Sequence, residues 1–171
     1  MSAEPGRPTT GREATLVSAQ LGRAPREPWR VAARCSYGYP CAIVSPSLLA
    51  DGTPFPAYAW LTCPYLLEML AAAESAGAAA MWAQRAAADE GLAAGLLATD
   101  VAVRAARARE SGGNDACGSV GIAGQRDPLG VKCLHAHVAL ALAGIDDPIG
   151  AEELGKIQPT CSDARCRSLA T

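Results

Sequence analysis

One short stretch near the front of the chain alternates apolar and polar residues, two more are short apolar runs, and most of the remaining chain repeats its apolar residues every three to four positions. The alternating stretch is WRVAARC at 29–35, and the apolar runs, each bounded by turn residues, are CAIVS at 41–45 and AYAWLTC at 57–63. Period two predicts β-strands, and period 3.6 predicts amphipathic helices. Gly38 and Pro40 in SYGYP mark a tight turn between the first two strands. Asp51-Gly52, with Pro54 and Pro56 after it, turns the chain between the last two. A small antiparallel meander is the simplest arrangement of three strands joined this way.

Helical spacing begins before the strands, in EATLVSAQLGR, where Leu16 and Leu21 share a face and Gly22 ends the run. It returns after them. Pro64 suits the first turn of a helix that carries Leu66, Leu67, Leu70 and Ala73 and stops at Gly77. Residues 78–110 form one long helix or two, with the expected break near Gly91 or Gly95. Arg104, Arg107 and Arg109 in its last turns suit the helix dipole and are expected on a solvated face. A glycine-rich loop spans 111–130. A helix over 131–143 is closed by Gly144, and Asp146-Asp147 before Pro148 caps a last short helix. Residues 1–12 are polar and rich in Pro and Gly, which predicts disorder, and residues 158–171 are expected as a loose tail. The expected fold is therefore α+β: one domain over 13–157, with a small antiparallel three-stranded sheet packed on alanine-rich helices.

Composition narrows the functional classes. Half of the 171 residues are hydrophobic, enough for a real core, and the net charge of −2 gives no strong attraction to nucleic acid. No apolar run approaches the roughly 18 residues that span a bilayer, and the opening MSAEPGRPTTGRE has no apolar stretch of a signal peptide. The expected address is the cytoplasm. There the seven cysteines stay reduced, which favours metal or redox chemistry over a disulfide framework.

Three of those cysteines stand at junctions. Cys35 closes the first strand at a glycine turn, Cys63 joins the third strand to its helix, and Cys133 opens a later helix. Helix N-termini favour a thiolate, which is the form a metal binds. His135 and His137 lie close after Cys133. In a continuous helix Cys133 and His137 share a face, whereas Cys133 and His135 converge only if the cysteine lies just before the helix. A Cys₃His set is a normal zinc site. The spacing itself carries no C-x-x-C knuckle, so unrelated buried thiols fit the same residues. Asp51 reads as a turn former, and there is no P-loop, G-x-S-x-G or H-E-x-x-H pattern.

LGRAPREPWRVAARCSYGYPCAIV, DGTPFPAYAWLTCP and VKCLHAHVALALAG, with DPIG after them, resemble the bacterial domain of unknown function 501 family, common in actinobacteria. Its recurring blocks are R-C-x-x-G-x-P, D-G-T-P-F-P, L-T-C-P and V-K-C-L-H. Gly130 stands where an arginine is usual, and the glycine-rich loop is also altered. The resemblance implies no reaction. It places Cys35, Cys63, Cys133 and His135 on the family's motif positions, and leaves Cys41, Cys117 and His137 off them. The resulting expectation is a metal centre of Cys35, Cys63, Cys133 and His135. Zinc is the expected ion, and an iron–sulfur cluster is the other cofactor such ligands can hold. Without an evident general base beside the motifs, a structural ion in an adaptor or assembly factor with an unidentified protein partner is expected ahead of a metal- or thiol-dependent enzyme.

Overall fold

In the computed structural model, residues 11–170 are described. The expected disorder of residues 1–12 falls outside them except for Gly11 and Arg12, which open α1 (Gly11–Leu21). Three strands come next: β1 (Arg30–Arg34), β2 (Pro40–Val44) and β3 (Ala59–Leu61). They form an antiparallel sheet in the order β1-β2-β3, with Arg30 opposite Val44 on one side and Ile43 opposite Trp60 on the other. The architecture is α+β, as the three strand stretches and the helical spacing predict.

The central strand β2 is buried along its whole length, because the sheet is covered on both faces. Ile43 packs with Trp29 and with Val17 of α1. Ala42 and Val44 belong to the main core, together with Leu66 and Leu70 of α2 (Pro64–Ser75) and with α5 (Leu134–Leu142). In α5, Leu134, His137, Val138, Ala139, Leu140 and Leu142 are all buried. A helix apolar nearly all round has no solvent face to present and sits at the centre.

The break expected near Gly91 or Gly95 falls at Asp89, two residues before Gly91. It separates α3 (Ala78–Ala88) from α4 (Glu90–Glu110). Asp89 takes an extended backbone and its carboxylate accepts the Leu92 N–H at 3.0 Å, a helix cap that outweighs the glycines' weak helix propensity. Gly95 stays helical and gives room to the ring of Pro148, 3.1 Å from where a Cβ would stand. That proline opens α6 (Pro148–Lys156), capped by Asp147.

The solvated face expected for Arg104, Arg107 and Arg109 fails at Arg107, which is fully buried. Its guanidinium forks onto the Asp115 carboxylate at 2.8 and 2.7 Å and donates to the carbonyls of Pro56, Cys117 and Val120. One α4 side chain thereby supplies partners for the backbone of the glycine-rich loop. Among the described residues no helix is long and apolar enough to cross a membrane.

Candidate metal centre

α5 begins at Leu134, three residues later than the periodicity predicts, and this delay builds the site. Cys133 is extended, with φ −158° and ψ 146°, so it stands just outside the helix. Glu74, near the end of α2, reaches across and caps α5 from outside: its Oε1 accepts the Leu134 N–H at 2.5 Å. The same oxygen lies 3.0 Å from His135 Nδ1. An acid at a helix N-terminus is favoured by the unpaired amides and by the dipole.

With Cys133 outside the helix and His135 in its first turn, the two side chains converge. Glu74, Cys133 and His135 form the only group among the described residues whose ligand atoms, at least three in number, lie within 4.8 Å of one another. His135 Nε2 lies 3.3 Å from the Leu67 carbonyl. The Cys133 sulfur, as a hydrogen-bond acceptor, and the Glu74 carboxylate hold the imidazole pKa up at about 9. In the metal-free protein the ring is therefore an imidazolium at neutral pH.

His137 points elsewhere. Its Nδ1 is 2.8 Å from Asp147 Oδ2, both residues are buried, and Asp147 Oδ1 accepts the Gly150 N–H at 2.8 Å. His137 thus ties α5 to the cap of α6. The α5–α6 contact is close there: a Cβ on Gly150 would lie 2.2 Å from the His137 carbonyl oxygen. The DPIG block is accounted for by a cap at Asp147, a proline in the first turn and a close approach at Gly150.

The four residues expected as one centre are distributed over two cavities. Cys133 and His135 lie on the wall of a cavity of about 580 Å³, with Tyr58, Trp60, Leu67 and Lys132. Cys35 and Cys63 line a smaller cavity of about 70 Å³, with Cys41, Cys161 and Cys166. All seven cysteines are free. Burial pushes the Cys41 thiol up to about 12 and also raises those of Cys63 and Cys166. Glu74 had no sequence signal of its own. Its only trace was an acid near the end of an alanine-rich helix, about 60 residues from the cysteine it meets.

The sequence pattern of the family described as "Protein of unknown function (DUF501)" matches residues 31–154, more than half of the chain. No curated protein and no solved structure matches.

Proposed function

From the premise that this chain belongs to the DUF501 family, a family of proteins of unknown function, we propose that it binds one divalent metal ion, zinc by donor chemistry, through Glu74, Cys133 and His135. The supporting observation is their convergence within 4.8 Å, with Cys133 and His135 on the wall of the larger cavity. Thiolate, imidazole and carboxylate together are a borderline-soft donor set that suits zinc. Three protein ligands leave a fourth position open, the arrangement of zinc sites that do chemistry. An ion held so supplies Lewis-acid polarisation to a bound group. The chain's own residues orient it: Glu74 is positioned by α2 and the Leu134 amide, and Cys133 by its extended backbone.

Elemental analysis of protein purified without added metal is expected to give zinc, and Cys133→Ser and Glu74→Gln each to lose one equivalent of it per chain. For the equivalent so lost, the difference in X-ray absorption is expected to show one sulfur and an incomplete protein shell. A closed shell of four protein ligands would move the assignment to a structural ion in an adaptor or assembly factor.

A second reading keeps the residues and omits the metal. An imidazolium between a cysteine sulfur and a carboxylate, at a helix entrance, is also the arrangement of an activated thiol. Metal-free protein whose Cys133 is alkylated by iodoacetamide at neutral pH far faster than Cys117, with no zinc on purification, would favour that reading.

A further inference from the structure

The smaller cavity is a second concentration of soft ligands. Cys35 comes from the turn after β1, Cys63 from the cap of α2, and Cys161 and Cys166 from the segment beyond α6. With Cys41 beneath them on β2, five of the seven cysteines line about 70 Å³ of space. The rest of the wall is mostly apolar, including Pro40, Leu66 and Leu154. Cys35, Cys63 and Cys166 lie within electrostatic reach of one another, and Cys166 is also within reach of Cys161.

An independent feature points to a ligand. Gln20 is more than nine-tenths buried, and its side-chain amide is committed to this cluster. One Nε2 hydrogen goes to the Pro40 carbonyl at 2.9 Å and the other to the Cys166 sulfur at 3.3 Å. A neutral thiol is a weak acceptor, so a buried amide directed at sulfur does little for it. Directed at a metal-bound thiolate, the same donor hydrogen-bonds the ligand from behind, which holds the sulfur in place and tunes its charge. No side chain caps α2, and the first-turn amides of Tyr65 and Leu66 lie beside the Cys63 thiol and favour its charged form.

We propose that this cavity is a second metal site, in which the thiolates of Cys35, Cys63, Cys161 and Cys166 hold one soft cation of the zinc or cadmium type. Each S–H bond breaks, its proton passes to solvent, and the sulfur's electron pair binds the ion. Cys41, held in the central strand, is wall and not ligand. Tetrahedral thiolate coordination with Zn–S near 2.3 Å brings the sulfurs to about 3.8 Å apart. Among the described residues no three of these sulfurs are within 4.8 Å of one another, so the segment after α6 closes inward when the ion enters. Contacts that guide this closure are in place: Ser36 Oγ meets Thr160 Oγ1 at 2.8 Å, and the Tyr37 hydroxyl donates to the Cys161 carbonyl at 3.1 Å.

The test uses the full chain carrying both Cys133→Ser and Glu74→Gln, which removes the first site. Titration with Cd²⁺ in the presence of a phosphine reductant is expected to give one ion per chain, with the ultraviolet charge-transfer absorption of cadmium thiolates. Adding Cys63→Ser or Cys166→Ser lowers that absorption, and Gln20→Leu weakens binding about 10–100-fold, as loss of a hydrogen bond to a metal ligand does. Cys41→Ala leaves the absorption unchanged. Should the serine variants fold poorly, the unmutated chain gives the same answer. Cd²⁺ is expected to protect Cys35, Cys63, Cys161 and Cys166 together from iodoacetamide, read by mass spectrometry, while Cys117 is unaffected. A double variant that takes up no Cd²⁺, or protection confined to Cys133, overturns the second site and leaves the first standing.

Discussion

His135 keeps its proton because the Cys133 sulfur and the Glu74 carboxylate both favour the charged ring, which puts its pKa near 9 against an ordinary 6.5. Two expectations belong to this residue. In the metal-free protein its contribution to stability is fully present below pH 6.5 and is lost as pH rises through about 9, because the folded state binds the proton more tightly than the unfolded chain. Denaturant melts of metal-free protein are expected to show that fall, and His135→Gln to flatten it. Metal binding reverses the preference, since a ligating imidazole must be neutral and a ligating thiol ionised. Zinc affinity at the first site is therefore expected to rise with pH across about 6–9, with protons released on binding that calorimetry in buffers of different ionisation enthalpy would count. The same residue-scale chemistry explains what the spacing of Cys133, His135 and His137 left open. Their sorting depends on whether Cys133 is inside the helix. That depends in turn on a cap supplied by α2, which is invisible in the local sequence.

Between elements, two contacts hold the molecule's less regular parts. Arg107 of α4 is the interior partner of the glycine-rich loop, through Asp115 and the carbonyls of Cys117 and Val120, and also holds the Pro56 carbonyl. Arg107→Ala leaves those groups without their cation, and breaking a buried pair from one side costs about 3–5 kcal/mol. Chemical denaturation should show that loss, and limited proteolysis should cut first within 111–130. The second contact is the passage of α6 over α5 at Gly150. Gly150→Ala puts a methyl group into the His137 carbonyl and is expected to cost about 1–3 kcal/mol through displacement of α6. A hydrogen-exchange map of that variant should show the loss centred on the Asp147 cap. Both contacts sit where local sequence misleads. An arginine on an alanine helix reads as solvated, and a glycine in a helix reads as a weakness. Only a neighbouring element shows that the first is a buried clamp and the second a clearance.

Over the full chain, the first proposed metal site would join the end of α2 to the start of α5, and the second would join the sheet and α2 to the segment after α6. An ion that binds only the folded chain stabilises it by mass action, about 2.7 kcal/mol when free ion is 100 times the dissociation constant. The melting temperature is expected to rise with added zinc and to fall on chelation, and Cys133→Ser to keep only the part owed to the second site. The elements were legible in the chain alone, because each arises from a local pattern or turn: strands from alternation or from short apolar runs between turn residues, helices from their 3.6-residue repeat, and turns at Gly38 and Asp51-Gly52. The cysteines at the junctions were legible too, since strand ends and helix starts are local features. Which of these side chains meet was settled by packing. Convergence is set by how helices lie over the sheet, a long-range property that no period in the chain records. So Cys133 and His135 are joined by Glu74, while Cys35 and Cys63 face the thiols of the segment after α6.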